Sequence, residues 1–229
     1  MGALADIFFR PRFAAAAIKA RPRWVLVFAL LALLSISIVI ATHNQSVQST
    51  LSHFPASATP GDREHVKDIL DGELFSKSSF LPIRLLLGWS GFALLLFSLS
   101  RSFRPPDQVR FVQVFALEVH AEAIGLLSRL VIFATELIHG AAQTTLPPPP
   151  LLGVLSIVPP PGDFVLFSLL SSINMFTLWY VLVLTAGIHV LCGFAKRKAF
   201  LIVTGAWALT LCCNLAVLAL LRDAFHLLI

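Results

Sequence analysis

The sequence predicts an all-α integral membrane protein: a bundle of five transmembrane helices with a cytoplasmic N-terminus and a C-terminus outside. Of its 229 residues, 57% are hydrophobic and only 13% are charged, whereas soluble domains are about 45–50% apolar and about 25% charged. The mean hydropathy is +0.86, and a chain of this length forms too small a core to bury that much apolar surface. These values argue against a soluble enzyme, a disulfide-rich secreted protein, a disordered chain and a coiled coil.

The chain begins with a basic juxtamembrane arm, residues 1–23, and we assign residues 24–229 to a single five-span membrane domain. We expect the arm to lie on the lipid surface, because each Lys or Arg close to anionic lipid contributes about 1 kcal/mol. The basic residues assigned to this surface are Arg10, Arg12, Lys19, Arg21 and Arg23.

The membrane domain contains five apolar runs near the length that a bilayer requires. A hydrocarbon core of about 30 Å needs about 20 helical residues, and we place the spans at about 24–41, 81–99, 111–138, 175–195 and 199–221. The outer loops are then residues 42–79 and 140–174. Within these loops we predict two short helices. One begins at Thr59-Pro60-Gly61-Asp62, which is typical of a helix N-terminus, and the other covers residues 164–171.

The third run, residues 111–138, decides the topology because it is apolar but carries several charges. A central charge costs about 2.5–3.5 kcal/mol, and each large aliphatic residue returns only about 0.3–0.6 kcal/mol, so this run would not insert alone. The basic residues of the loops favour a crossing, because cytoplasmic loops collect Lys and Arg. With five spans the inner side holds eleven of them, namely Arg10, Arg12, Lys19, Arg21, Arg23, Arg101, Arg104, Arg110, Lys196, Arg197 and Lys198. The outer side then holds four, namely Arg63, Lys67, Lys77 and Arg222; four spans would change the ratio to nine against six.

The charges of the third span form a stripe along one side of the helix. At about 100° per residue, Glu118, Glu122, Arg129 and Glu136 fall within about 40° of one another. Gly125 lies on the same face and allows a neighbouring backbone to approach. Ionisable groups inside a bilayer face the bundle interior or a water-filled cavity and indicate a functional site.

Three interpretations of the stripe remain open. In the first it is a structural seam that pairs with polar residues of other spans, for which the candidates are Arg84, Asn174, His189 and Asn214. In the second it is a proton or cation path, with Glu118 and Glu122 as carriers and Arg129 as the gate or counter-charge. In the third it is a charged docking site for another membrane subunit.

Other kinds of chemistry find little support in the sequence. We expect no catalytic residue, no metal ligand and no cofactor, because His120 and Glu122 lie about 200° apart on a helix and no phosphate-binding glycine loop occurs. The net charge, 17 − 12 = +5, reads as an orientation signal, so we expect no nucleic-acid partner. The cysteines Cys192, Cys212 and Cys213 lie in apolar runs without metal-ligand spacing, as packing residues do.

The last third of the chain carries a family resemblance. Residues 172–180, SINMFTLWY, enter a span that continues to Gly187, a basic turn at 196–199 follows, and the closing span contains Trp207. Together with the proline-punctuated basic entry at residues 7–24, this arrangement resembles the Yip family of five-span membrane proteins, named for binding Ypt/Rab GTPases. The chain looks most similar to the bacterial branch of that family. The resemblance implies a helical bundle with a cytoplasmic N-terminus that acts as an adaptor and not as an enzyme.

We therefore predict a non-enzymatic, multi-pass membrane protein that serves as a scaffold, adaptor or complex subunit. Its expected partners are the lipid bilayer and another membrane protein or a second copy of the chain. The expected location is the bacterial inner membrane, or an endomembrane in a eukaryotic host. The alternative function is a small proton- or cation-coupled transporter or channel that uses the charged face of the third span.

Overall fold

Helices account for nearly all of the chain that the structure describes, which is residues 2–52, 59–103, 109–139 and 164–226 of a computed structural model. Within these ranges no β-strand occurs, so the predicted all-α fold class is confirmed there. Arg104 and residues 140–163 of the second predicted outer loop lie outside the described ranges. The helices are α1 (Gly2–Phe9), α2 (Pro11–Ala20), α3 (Val25–Ser52), α4 (Pro60–Arg101), α5 (Phe111–His139), α6 (Phe164–Ser171), α7 (Met175–Cys192) and α8 (Lys196–His226).

Helix α5 occupies the centre of the bundle. It packs against α3, α4 and α7 and also contacts the two N-terminal helices. Every side chain from residue 113 to 121 is buried, which requires neighbours around the full circumference of the helix. The predicted third span is therefore the helix most enclosed by protein along this stretch.

Among the residues that the structure describes, four helices are long and apolar enough to cross a membrane, and α5 is not among them. The four candidates are Val25–His43, Gly61–Arg101, Met175–Cys192 and Lys196–Val217. Helix α5 differs from them because Glu118, Glu122 and Arg129 fall within its central part. Neighbouring helices bury Glu118 and partly bury Glu122, whereas Arg129 is exposed.

The region between the first two spans is more helical than the predicted polar loop. Helix α3 continues to Ser52, and the expected short helix at residue 60 is instead the beginning of one helix that runs to Arg101 through Pro82. The predicted start is confirmed: Thr59 and Asp62 form a reciprocal capping box. The two helices run antiparallel, because Phe28 contacts Trp89 at one level and His43 Nε2 lies 2.7 Å from Asp71 Oδ1 at another.

The basic arm forms two helices that dock on the bundle. Ile7 and Ile18 are buried against it, and the Gln113 side-chain amide donates a hydrogen bond of 2.8 Å to the Lys19 carbonyl. The Phe8 and Trp179 rings meet edge to face, with 5.6 Å between their centroids. The arm thus has a protein contact along one side, which the composition of a basic juxtamembrane segment does not predict.

The last two predicted spans correspond to α7 and α8. Asn174 caps α7 by accepting a hydrogen bond of 2.9 Å from the Thr177 N–H. Gly193 ends the helix in the left-handed region at φ 63°, a conformation that costs glycine little. The predicted short helix at residues 164–171 is confirmed as α6.

Candidate functional site

A cavity of about 470 Å³ lies between α4, α5, α7 and α8. Its walls combine charged, polar and aromatic side chains, which is unusual for the interior of a membrane bundle. The charged lining residues are Glu118, Glu122 and Arg129, the polar ones are Ser128, Ser172, Asn174, Thr177, Thr210 and Asn214, and the aromatic ones are Trp89, Phe92, Phe176, Tyr180 and Trp207. The charged face of α5 therefore borders an open volume instead of being sealed by direct contacts.

Glu118 is the most deeply placed charged residue of this cavity, with only 1% of its surface exposed. The Tyr180 hydroxyl donates a hydrogen bond of 2.6 Å to its Oε1 atom. The other carboxyl oxygen, Oε2, is buried and has no hydrogen-bond partner among the described residues. Buried polar atoms are nearly always hydrogen-bonded, so Oε2 marks a place where a partner is missing.

Glu122 lies one turn further along α5, and its carboxyl group has an oppositely charged neighbour. The Trp89 side chain lines the same cavity, and the Arg129 guanidinium attracts the Glu122 carboxyl group electrostatically. A Cβ atom added at Gly125 would lie 3.2 Å from Glu122 Oε2, tighter than ordinary van der Waals contact. Glycine at position 125 therefore leaves room for this carboxyl group.

The structure brings together some of the predicted site residues and leaves others apart. Asn174 and Asn214 line the cavity with the α5 charges. Arg84 is exposed and is not a lining residue, and the His189 Nδ1 atom hydrogen-bonds the Phe194 carbonyl. Glu136 falls on α5, but its side chain lies outside the described part of the structure.

Several cavity residues were missed by reasoning from sequence, above all Tyr180 and Trp89. For Tyr180, a signal exists in the spacing of polar residues. Asn174, Thr177 and Tyr180 follow one another at intervals of three on α7, which places them on one side of a helix. A search for such polar sides on every span would have paired α7 with the stripe of α5.

The lining residues define what this site can hold. Within the described ranges, no group of three or more His, Cys, Asp or Glu side chains could bind a metal ion. His120, on the opposite side of α5, is buried with its Nδ1 atom 2.7 Å from the Ala116 carbonyl oxygen. The chemistry available in the cavity is therefore hydrogen bonding and charge pairing by two carboxyl groups and one guanidinium.

Comparison with known proteins assigns the chain to a family. A family model described as the Yip1 domain matches residues 5–217. No curated protein and no solved structure matches the chain. The match covers almost the whole chain, including the arm, α5 and the cavity, and agrees with the resemblance found in the sequence. Taken with its four long apolar helices, it shows that the chain is a multi-pass membrane protein and belongs to the Yip family.

Proposed function

We propose that this chain is a non-enzymatic membrane scaffold or adaptor, which acts by binding another membrane protein or a second copy of itself. The Yip family is not a family of enzymes, which supports a binding role. We also propose that the chain crosses the bacterial inner membrane five times, with its N-terminus in the cytoplasm and its C-terminus outside. The central position of α5 supports the fifth crossing, because the surrounding helices bury Glu118 and partly bury Glu122.

One observation carries the adaptor proposal: the docked arm presents an uncovered aromatic and basic surface. Phe9 and Phe13 are 84% and 70% exposed, whereas Ile7 and Ile18 of the same helices are buried in the bundle. The exposed Arg12 lies beside Phe13. Aromatic residues and arginine are enriched at protein interfaces and dominate their binding energy. In this proposal Arg10, Arg12, Lys19, Arg21 and Arg23 also hold the arm near anionic lipid.

Site-specific photocrosslinking tests this proposal in the intact membrane. A benzophenone side chain at Phe13 is expected to yield one discrete adduct with a membrane protein or a second copy of the chain. Changing Arg10 and Arg12 to alanine should reduce its yield about tenfold, the equivalent of a loss of about 1.4 kcal/mol. The matched control carries the benzophenone at the buried Ile18 and should give no intermolecular adduct. Adducts with lipid alone at position 13 would contradict the adaptor proposal.

A second candidate function is proton- or cation-coupled transport, and one observation favours it. The cavity reaches both Glu118 and Glu122, as a carrier site on the charged face of α5 would require. In proteoliposomes we expect Glu118→Gln with Glu122→Gln to reduce a proton or cation flux at least tenfold, about 1.4 kcal/mol in the limiting step. Glu73→Gln, on the exposed part of α4, is the control. An unchanged flux in the double variant would eliminate this candidate.

A further inference from the structure

The polar cavity adjoins a second depression, an apolar groove between α4 and α8. The groove has a volume of about 400 Å³. It shares Gly88, Phe92, Thr210 and Asn214 with the cavity, so the two volumes are direct neighbours. We propose that cavity and groove together bind one lipid with a primary ammonium head group, of the phosphatidylethanolamine class. The ammonium contacts Glu118 and Glu122, and an acyl chain lies in the groove.

The carboxyl groups of α5 supply the ammonium site. A primary ammonium carries three N–H donors, and Glu118 Oε2 is a buried acceptor that no described residue satisfies. In their charged forms, Glu118 and Glu122 place two negative charges at one end of the cavity lining, and Arg129 places one positive charge further along α5. The carboxyl groups attract an ammonium group and repel an anion.

The aromatic side chains distinguish an organic ammonium from a metal ion. Trp89, Tyr180 and Trp207 line the same cavity as the carboxyl groups, and aromatic faces attract ammonium groups. Transition metals favour His or Cys ligands, and the lining residues include neither type. The cavity is also much larger than a bare metal ion requires.

Arg129 makes the site complementary to a zwitterionic head group. It lies seven residues from Glu122, about 10 Å along the helix axis, and is more exposed than Glu118 or Glu122. A guanidinium binds phosphate through two parallel N–H donors. Along α5 the two carboxyl groups come before the guanidinium. This order matches a head group whose ammonium lies at Glu118 and Glu122 and whose phosphate lies nearer to Arg129.

The groove provides an apolar surface that is open to the bilayer from the side. A Cβ atom added at Gly88 or Gly91 would meet no atom within 4 Å, so these glycines leave a shallow channel in the surface of α4. Leu87 and Leu209, which border it, are 66% and 49% exposed. An acyl chain can enter this channel from the membrane without leaving an apolar environment. The lipid proposal is independent of the adaptor proposal, because it concerns a different surface.

Lipid binding to the purified, delipidated full chain tests the proposal by native mass spectrometry. We expect phosphatidylethanolamine to bind at one copy per chain and at least tenfold more tightly than phosphatidylglycerol, which has no amine. Glu118→Gln should remove this preference. Glu73→Gln, which makes the same chemical change at an exposed carboxyl group of α4, should retain it. Equal binding of the two lipids by the unmodified chain would overturn the proposal.

Two further measurements distinguish a bound lipid from a bound free amine, and they do not depend on the folding of Glu118→Gln. Gly91→Leu, which fills the groove, should weaken phosphatidylethanolamine binding at least tenfold, and Gly72→Leu, at an open position on the same helix, should not. Ethanolamine alone should not compete at millimolar concentration. If ethanolamine competes fully and Gly91→Leu has no effect, the ligand is a soluble amine and the lipid proposal fails. If Glu118→Gln does not fold, the Gly91 and Gly72 variants still decide the outcome.

Discussion

Replacing Gly187 with alanine is expected to destabilise the bundle by about 1–3 kcal/mol, the usual cost of overpacking a filled core. A Cβ atom at this position of α7 would lie only 2.9 Å from Leu117 Cγ and would overlap both methyl groups of Leu117. Leu117 is fully buried on the central helix α5, so it has no free space into which to move. Thermal unfolding of the purified chain in detergent, followed by circular dichroism, measures the change.

Gly205→Ala on α8 is the matched control for this prediction. A Cβ atom there meets nothing within 4 Å, and alanine favours a helix over glycine by up to about 1 kcal/mol, so this variant should be neutral or more stable. Truncating Leu117 to alanine should partly rescue Gly187→Ala, with a coupling of about 0.5–3 kcal/mol between contacting residues. Equal melting temperatures for the Gly187 and Gly205 variants would mean that α5 and α7 are not in close contact at this point.

Replacing Tyr180 with phenylalanine is expected to lower stability by about 1–3 kcal/mol, the usual cost of leaving a buried polar group without its partner. The Tyr180 hydroxyl donates the 2.6 Å hydrogen bond to Glu118 Oε1. Since Glu118 Oε2 already lacks a partner, this change leaves neither carboxyl oxygen satisfied among the described residues. The measurement is again thermal unfolding in detergent, at a pH held constant across the variants.

The Tyr180 prediction depends on Glu118, which provides its internal check. In the background of Glu118→Leu, the loss of the hydroxyl should cost less, because no carboxyl group remains to be satisfied, and the coupling should lie between about 0.5 and 3 kcal/mol. Ser37→Ala, which removes an exposed hydroxyl bonded to its own helix, controls for the loss of a hydroxyl and should change stability little. If Tyr180→Phe costs the same with and without Glu118, the hydrogen bond does not stabilise the bundle.

Local features of the fold could be predicted because local chemistry determines them. The capping box at Thr59 and Asp62, the short helix α6 and the long apolar helices follow from residue type and spacing. The extent of α3 and α4 could not be predicted, because polar residues beyond a span allow both loop and helix. Their antiparallel contact, including His43 with Asp71, favours helix in that region, and only the packed structure contains it.

The candidate site also has a part that the sequence predicts and a part that it does not. The helical period placed Glu118, Glu122 and Arg129 on one side of α5, and all three line the cavity. Their contacts with Tyr180 and Trp89 were not predicted, because a contact between helices depends on how each helix is rotated and how deeply it sits in the membrane. No period within one helix determines those two quantities.

By itself, the sequence determined that the protein is a helical membrane protein of the Yip family and that its unusual charges share one face of one helix. Composition and periodicity suffice for the membrane class and for the charged face, because the bilayer requires long apolar helices and makes every buried charge conspicuous. The family follows from the resemblance of particular segments and from the family match. Only the tertiary structure decided that this helix is central, that the arm docks on the bundle, and that the charges border a cavity. Those features depend on packing between segments far apart in the chain, which the shapes of all the side chains determine together.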